Sequence, residues 1–274
     1  LPVLCWHAPA PPPGEFSLQA VDVGQGGAVL LRIARHNLLF DTGPTIGRHT
    51  GAGERVLAPP LAAQGLQRDR IVLSHSDSDH VGGLLSLLES QPQVPVAGVI
   101  EPDNPLHARL PIQPCLAGQH WEWDGVAFDI LHPSAQDLAQ GDWGNGSSCV
   151  LRVSNAGHAA MLMGDAEFVS EARLLQRYPV AQLRADVLLA GHHGSNSSTG
   201  SAWLQAVQPR WTLIQHGYRN RYGHPHADVL QRLQQQGTSV VRSDACGAAW
   251  WGSWQNEVHC ERAREAHFWS HRLP

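Results

Sequence analysis

The stretch Leu73-Ser74-His75-Ser76-Asp77-Ser78-Asp79-His80-Val81-Gly82-Gly83 decides the fold prediction, because it places two imidazoles and two carboxylates within six residues. Residues 70–73 predict a short buried strand, and residues 81–88 place leucines at helical spacing after Gly-Gly, so the cluster lies on a strand-to-helix turn. Imidazole nitrogen and carboxylate oxygen are the usual ligands of zinc and manganese. We therefore predict a metal site; the alternative is a polar loop whose aspartates cap a helix.

Other predicted strands also end in residues that can bind a metal or orient its ligands. These residues are Asp41, Asp165, His192-His193 and the segment 216–224. In α/β architectures, ligands gather at the carboxyl ends of the strands. The pattern predicts an α/β (α+β) fold in which two mixed sheets carry helices on their outer faces and share one cleft along the strand ends.

The number of ligands in the cluster favours two metal ions over one. His75, Asp77, Asp79 and His80 cannot all reach a single ion from so short a segment. Asp165 ends a separate strand and is the natural carboxylate to bridge two ions. One histidine of the pair His192-His193 completes the second position, and the residues alone do not decide which.

Composition limits the classes of function. The chain has 274 residues, 42% of them hydrophobic, and a net charge of −5, so no global basic field can hold a nucleic acid. A polyanion must be bound locally, and two divalent cations would supply the positive charge. No apolar run approaches the roughly 20 residues that a bilayer-spanning helix needs. The chain begins at Leu1 and has prolines at 9–13, so we expect residues 1–15 to be a linker from a preceding membrane region and residues 16–274 to form one domain.

Five cysteines, at positions 5, 115, 149, 246 and 260, show no Cys-x-x-Cys spacing, which argues against a zinc ribbon or a thioredoxin-like site. Cys246 and Cys260 either pair across a C-terminal hairpin or remain buried thiols. The tryptophans of residues 247–254 favour packing on that hairpin over stacking on bases. We predict one continuous helix over residues 81–89, and irregular surface over residues 102–123, which show no clear period.

Several motifs along nearly the whole chain together carry a family resemblance. They are Asp22-Val23-Gly24-Gln25-Gly26, Asp41-Thr42-Gly43, residues 75–83, Asn145 with Ser148, Gly164-Asp165, His192-His193-Gly194-Ser195 and Asn220-Arg221-Tyr222-Gly223-His224-Pro225. The chain resembles the metallo-β-lactamase superfamily, and specifically the C-terminal domain of the ComEC family of bacterial DNA-uptake proteins. That branch shares Asp77 in place of a second histidine, whereas Gly27 stands where many relatives have an acid.

The resemblance implies an αββα sandwich with a two-metal site and a nuclease that degrades one strand of incoming DNA. It further implies a soluble domain of an inner-membrane protein on the periplasmic side, whose partners are DNA and the membrane channel of the same full-length protein. Asp77 hardens the site and makes Mn²⁺ more plausible, although affinity alone favours Zn²⁺.

Each candidate residue has an expected role. We expect His75 and Asp77 on the first ion, Asp79, His80 and one of His192 and His193 on the second, and Asp165 between them. His224, or whichever of the paired histidines is not a ligand, is the candidate acid for the leaving oxygen.

The remaining candidates lie behind or beside the metals. Asp41 either orients a ligand or caps a turn, and Asn145 is expected to support a ligand in the same way. Ser195, Asn196, Ser197 and Ser198 either donate to phosphate or cap a helix, and Asn220 is expected to contact substrate. His224 could equally cap the helix that follows Pro225.

The sequence alone is compatible with three functions. The first is a metal-dependent DNA nuclease of an uptake channel. The second is a small-molecule phosphodiesterase or other hydrolase with the same metal site. The third is a structural domain that guides DNA, which the intact ligand set and the acidic net charge argue against.

Overall fold

The molecule consists of two mixed β-sheets packed face to face, with helices on both outer faces. The computed structural model describes residues 9–47, 50–141 and 143–264; residues 1–8 of the predicted linker lie outside this range. No helix within these ranges is both long and apolar enough to cross a bilayer. The predicted sandwich of two mixed sheets with outer helices is confirmed.

The strands are short, with three to seven residues each. In chain order they are β1 Ser17–Ala20, β2 Val29–Arg32, β3 Asn37–Phe40, β4 Arg70–Leu73, β5 Val96–Gly98, β6 Ile112–Pro114, β7 His120–Trp123, β8 Val126–His132, β9 Val150–Ser154, β10 Ala159–Leu162, β11 Val187–Leu189, β12 Trp211–Ile214, β13 Ser239–Arg242, β14 Ala249–Gly252 and β15 Val258–Cys260.

The α-helices lie between these strands. They are α1 Ala58–Ala63, α2 Ser78–Val81, α3 Leu84–Ser90, α4 Ala135–Ala139, α5 Phe168–Arg177, α6 Val180–Leu183, α7 Ser201–Val207, α8 Ala227–Gln236, α9 Ser243–Cys246 and α10 Glu261–Arg264. A π-helical turn, Gly53–Leu57, leads into α1, and short 3-10 turns cover Pro105–Ala108, Asn145–Ser147 and Gly191–Gly194.

Each sheet is antiparallel in one half and parallel in the other. The first has the order β15-β14-β1-β2-β3-β4-β5-β6 and is parallel from β3 to β6. The second has the order β13-β12-β11-β10-β9-β8-β7 and is parallel from β13 to β10. Because parallel strands end at the same sheet edge, these two halves bring the polar strand ends together.

Apolar residues fill three layers between and outside the sheets. The inner faces pack together through Leu18 and Leu31 of the first sheet and Phe128 and Leu151 of the second. Leu84 and Leu87 of α3 cover the first sheet. The second sheet is covered by Leu174 of α5, Trp203 of α7 and Leu233 of α8. Full burial of each such side chain stabilises the folded protein by about 1.5–3 kcal/mol. The layering therefore follows from the apolar faces of the helices and strands.

Two predictions of local structure are wrong. Residues 102–123 are not irregular, because they contain the edge strands β6 and β7. The helix predicted over residues 81–89 is broken into α2 and α3 at Gly82 and Gly83. A Cβ at Gly82 would collide with the backbone of Pro44 and Thr45, so the loop after β3 crosses directly over this break.

Two disulfides cross-link the described part of the chain. Cys246 pairs with Cys260, which is one of the two alternatives given above for these cysteines. Cys115 pairs with Cys149, a bridge that the sequence does not indicate. The hairpin β14–β15 extends the first sheet beside β1. Trp251 on β14 is fully buried against Phe16, with ring centroids 5.4 Å apart, so the packing role of this tryptophan is confirmed.

Candidate metal centre

Polar residues follow five strands from the parallel halves of the two sheets and lie at one edge of the sandwich. Asp41 follows β3, His75 follows β4, Asp165 follows β10, the pair His192-His193 follows β11, and Gln215 follows β12. The predicted strand-end cleft is therefore built from both sheets, with Asp165 where they meet.

Asp165 is 3% exposed and faces four imidazoles. Its Oδ1 lies 3.1 Å from His80 Nε2 and 3.4 Å from His193 Nε2. Its Oδ2 lies 3.9 Å from His75 Nε2 and 3.8 Å from His192 Nε2. Each of the two carboxylate oxygens thus lies near two imidazole nitrogens, which is the position predicted for a bridging ligand.

The donor atoms form two overlapping groups, within each of which all donors lie within 4.8 Å of one another. The two groups are His75, His80 and Asp165, and Asp79, His80 and His193. Asp79 Oδ2 is 3.3 Å from His193 Nε2, which places His193 rather than His192 beside the predicted second-ion ligands. Asp77 Oδ2 lies 3.4 Å from His75 Nε2, on the exposed side of the cluster.

Hydrogen bonds at Nδ1 fix the orientation of two imidazoles. His80 Nδ1 contacts a carboxylate oxygen of Asp41 at 2.8 Å, and His193 Nδ1 contacts the carbonyl oxygen of Gln215 at 2.9 Å. Both partners only accept, so each Nδ1 carries its proton and each Nε2 of the neutral rings presents a lone pair. The two Nε2 atoms lie 3.1 Å apart. Two converging lone pairs require a cation between them, either a proton or a metal.

Orphaned polar atoms support the same conclusion. His75 Nε2 and Asp165 Oδ1 are buried without a hydrogen-bond partner in the described part of the chain. Buried polar atoms are otherwise nearly always paired. Other buried atoms without a partner occur elsewhere in the described chain, but these two belong to the cluster of candidate ligands. Its nitrogen and oxygen donors therefore fit divalent metal ions.

Asp41 lies behind the ligands and holds two of them. Its carboxylate accepts from Ser74 N at 2.6 Å and Ser74 Oγ at 2.8 Å, in addition to His80 Nδ1. Ser74 Oγ is also 2.9 Å from His75 Nδ1. Because Ser74 Oγ donates to Asp41, His75 Nδ1 donates to Ser74 Oγ, and Nε2 of His75, like that of His80, is left free to face the centre. Asp41 therefore orients two candidate ligands, which is more than a turn-capping role.

The adjacent histidines diverge because both have left-handed backbone conformations, with φ of 47° at His192 and 53° at His193. His193 turns inward and is 4% exposed. The His192 side chain is 24% exposed, and its Nδ1 lies 3.1 Å from Glu167 Oε1. Asn145 Nδ2 lies 3.3 Å from His192 Nε2. Asn145 is thus at the centre, beside His192.

The serine-rich segment after the histidines mainly stabilises its own loop. Ser195 and Ser197 hydroxyls contact each other at 3.0 Å, and Ser198 Oγ donates to the carbonyls of Gly191 and Ser195. Asn196 Oδ1 accepts from Arg232. Only Ser197 also reaches the centre, where its hydroxyl donates to Glu167 at 2.7 Å and lies 3.3 Å from His192 Nδ1.

His224 and Asn220 border the centre from the loop between β12 and α8. The His224 ring lies 5.8 Å from the His192 ring. Asn220 directs its side-chain hydrogen bonds to its own loop, including 2.6 Å to the His224 carbonyl. The helix α8 is capped by His226, whose side chain accepts from Asp228 N, rather than by His224.

Electrostatics couple the buried ligands. Burial alone would raise the pKa of Asp165, but His193 and His80 hold it well below its ordinary value. Burial likewise opposes the charged form of His80, yet Asp165 and Asp41 raise the pKa of His80 well above its ordinary value. Burial, followed by His192 and His193, lowers the pKa of His224 to about 4. A metal bound here competes with protons held by the same groups.

Sequence reasoning missed two residues that shape the centre. Glu167 contacts His192, and the Gln215 carbonyl orients His193. Glu167 follows Asp165 by two residues, but nothing in its neighbourhood marks it as a partner of His192. The Gln215 contact uses a backbone carbonyl, which leaves no trace in side-chain identity.

The metallo-beta-lactamase superfamily matches residues 21–215, which span all of these strand ends. The chain belongs to this superfamily. The fold agrees with that of the metallo-beta-lactamase fold protein YhfI of Bacillus subtilis, with a TM-score of 0.58, 13% identity, and coverage of 87% of this chain and 100% of that one.

The metallo-beta-lactamase domain has named relatives of two kinds. "Competence protein ComA" of Neisseria gonorrhoeae is 37% identical over 97% of this chain and 36% of its own length. "ComE operon protein 3" of Bacillus subtilis is 34% identical over 85% of this chain and 32% of its own length. These homologues confirm the resemblance to the ComEC family, and the chain spans about a third of their length. "Hydroxyacylglutathione hydrolase" of Aeromonas salmonicida is 31% identical over 78% of this chain and 75% of its own length.

Proposed function

We propose that this metallo-beta-lactamase domain is a metal-dependent phosphodiesterase that degrades one strand of DNA during uptake into a bacterium. The names of the competence relatives support a role in DNA uptake. Their greater length supports a second part of the proposal, in which the domain belongs to a larger protein that also forms a membrane channel.

One observation carries the choice of chemistry, namely that three carboxylates lie among the imidazoles of the centre. Asp165 contacts His75, His80, His192 and His193, Asp77 lies beside His75, and Asp79 lies beside His193. Carboxylate ligands suit Mn²⁺ better than a site made of histidines alone, so we propose Mn²⁺ in both positions and keep Zn²⁺ as the competitor. Two divalent cations bound by these residues would supply Lewis-acid polarisation of a phosphodiester and would neutralise the charge on its attacking and leaving oxygens.

The residues of the chain supply positioning and proton transfer. Asp41 and the Gln215 carbonyl hold the rings of His80 and His193 with Nε2 inward. His192 stands at the accessible side of the centre, with Glu167 at its Nδ1. A ring held by a carboxylate at Nδ1 can carry a proton at Nε2 toward a leaving oxygen, so we propose His192 as the general acid.

The two disulfides support placement on the oxidising side of the inner membrane. Disulfides such as Cys115–Cys149 persist in the periplasm and outside the cell, and are rare in the cytosol. We therefore propose the periplasmic face for this domain.

A small-molecule hydrolase is the second candidate function. The Aeromonas salmonicida hydroxyacylglutathione hydrolase matches three quarters of its own length, which favours a compact thioester or ester substrate at the same metal centre. The two candidates share the ligands and differ in the size and charge of the substrate.

The test incubates the chain with single-stranded DNA, linear duplex DNA and a hydroxyacylglutathione thioester, each with Mn²⁺, with Zn²⁺ or with EDTA. We expect Mn²⁺-dependent cutting of DNA, loss of cutting in EDTA, and loss in Asp165→Asn. Asp129→Asn is the matched control, because Asp129 also pairs with a histidine, His120, at 2.8 Å. DNA left intact by the wild-type chain with Mn²⁺, or cut equally by Asp165→Asn, would refute the nuclease proposal; thioester hydrolysis alone would favour the second candidate.

A further inference from the structure

The loop between β12 and α8 exposes two tyrosines, each beside an arginine. Tyr218 is 46% exposed and Tyr222 is 53% exposed. The Arg219 guanidinium lies 5.2 Å from the Tyr218 ring, and the Arg221 guanidinium lies 4.9 Å from the Tyr222 ring. Large aromatic rings at such exposure contribute little to a core, and alternation of aromatic and cationic side chains is typical of surfaces that bind single-stranded nucleic acid.

A series of rings connects this loop to the metal centre. Tyr222 stacks on His224, with centroids 5.8 Å apart and an interplanar angle of 15°. His224 in turn lies 5.8 Å from the ring of His192, and His192 Nε2 is 3.8 Å from Asp165 Oδ2. A base stacked near Tyr222 would therefore belong to a nucleotide next to the one whose phosphodiester lies at the centre.

The loop is held in shape by Asn220. Its Nδ2 donates to the carbonyls of Gly217 at 3.0 Å and His224 at 2.6 Å. Its Oδ1 accepts from the amides of Tyr222 at 3.2 Å and His224 at 3.0 Å. Four hydrogen bonds from one side chain fix the backbone that carries Tyr222, so little conformational entropy is lost when a ligand binds.

Charge points to the same ligand. The centre itself carries the carboxylates Asp77, Asp79 and Asp165, and the whole chain is acidic. Arg219 and Arg221 place positive charge on this loop, beside Tyr218 and Tyr222, where it can attract the phosphates of a nucleic acid.

We propose that residues 217–224 form a stacking platform for unpaired bases of single-stranded DNA. Tyr222 stacks on a base adjacent to the scissile phosphodiester, and Arg219 and Arg221 contact the flanking phosphates. Bases in a duplex are already stacked on each other and cannot use this surface, so the platform selects an unpaired strand. The place of the base relative to a cut rests on the proposed nuclease function, whereas the binding itself does not.

The test measures equilibrium binding of fluorescein-labelled oligothymidine by anisotropy, with Mn²⁺ present and a phosphorothioate backbone that slows hydrolysis. Loss of one stacked base typically weakens binding by roughly 5- to 150-fold, and we expect Tyr222→Leu to raise Kd within this range. Tyr222→Phe keeps the ring and is expected to stay within about twofold of wild type. Trp254→Leu is the matched control, because Trp254 is also exposed, at 37%, on the distant β14–β15 hairpin.

An abasic oligomer of the same length and charge separates stacking from electrostatics. We expect Tyr222→Leu and wild type to bind it equally, and Arg221→Gln to weaken both oligomers. Equal loss by Tyr222→Leu on both oligomers, no loss on either, or an equal effect of Trp254→Leu would overturn the platform. Base-dependent binding in a chain that cuts no DNA would uphold the platform and reject the nuclease.

Discussion

Asp41→Asn tests the hydrogen-bond network behind the metal centre with the least disturbance of the backbone. Asp41 has φ of 59°, a left-handed conformation that asparagine tolerates and alanine does not. The substitution keeps the shape of the side chain and replaces one accepting oxygen by a donating NH₂. Three donor groups point at the carboxylate, namely Ser74 N, Ser74 Oγ and His80 Nδ1. At least one of them must lose its acceptor.

The two possible amide orientations have different costs. If the NH₂ faces Ser74 N, one buried charge-assisted hydrogen bond is lost, at about 1.5–3 kcal/mol of unfolding free energy. If the NH₂ faces His80 Nδ1, that nitrogen becomes the acceptor and the proton moves to Nε2, which then cannot bind a metal. Loss of such an orienting contact lowers metal affinity by roughly 10- to 100-fold. In the second orientation Ser74 Oγ and His80 Nδ1 accept from the NH₂, so no buried donor of the network is left unpaired. We therefore expect Asp41→Asn to adopt this orientation and to lose metal affinity.

The assay is Mn²⁺ affinity from chelator competition, together with urea unfolding of the metal-free protein. Asp124→Asn is a close control, because Asp124 also has a left-handed φ, of 51°, and also receives a backbone amide and a histidine Nδ1. It lies on the β7–β8 turn, so its substitution is expected to lower stability without changing Mn²⁺ affinity. Unchanged Mn²⁺ affinity in Asp41→Asn, or an equal drop in Asp124→Asn, would refute the tautomer argument.

Because His193 alone faces Asp79 and His80, His193→Asn is expected to lower the number of Mn²⁺ ions bound, measured by mass spectrometry, whereas His192→Asn keeps both ions and loses turnover. Burial raises the pKa of Glu171 from 4.5 to about 7, so the stability that the protonated carboxyl contributes is fully present below pH 4.5 and is lost as the pH rises through about 7. Glu171→Gln cannot ionise and should remove roughly 3 kcal/mol from the pH dependence of the unfolding free energy measured in urea. The same pH dependence of unfolding free energy in both proteins would contradict this prediction. Replacing Cys115 and Cys149 by serine opens a loop of 34 residues and is expected to lower the unfolding free energy by about 4 kcal/mol. Replacing Cys246 and Cys260 opens a loop of 14 residues and is expected to lower it by about 3 kcal/mol. Equal decreases in melting temperature for the two variants would contradict chain entropy as the cause.

The central elements were predictable because their apolar periodicity and their strand-end ligands agreed. The edge strands were harder for different reasons. β6, Ile112–Pro114, has three residues, ends in proline and pairs on only one side, so no period can emerge. β7 did carry a signal, because Asp124-Gly125 separates an aromatic run from an apolar one, and Trp123 pairs directly with Val126 across that two-residue turn.

Other features could not be predicted because they arise from contacts between distant segments. Five cysteines allow many pairings, and the chain order of Cys115 and Cys149 gives no hint that β6 and β9 approach each other. The break between α2 and α3 depends on the loop after β3, which passes against Gly82. Sequence alone shows Gly-Gly in a helical pattern and cannot show what crosses it.

The distinction between His192 and His193 shows why the centre needs both sheets. Two identical letters carry no preference, and consecutive left-handed residues simply send one ring inward and one outward. The inward ring is fixed by the carbonyl of Gln215, and the Gln215 side chain in turn donates to the carbonyls of Val21 and Ala28, which lie between β1 and β2 of the first sheet, at 2.8 Å. The same residue therefore orients the ligand from the second sheet and holds that sheet against the one that supplies His75 and His80. The geometry of the metal centre is thus a property of how the sheets pack, which local sequence cannot encode.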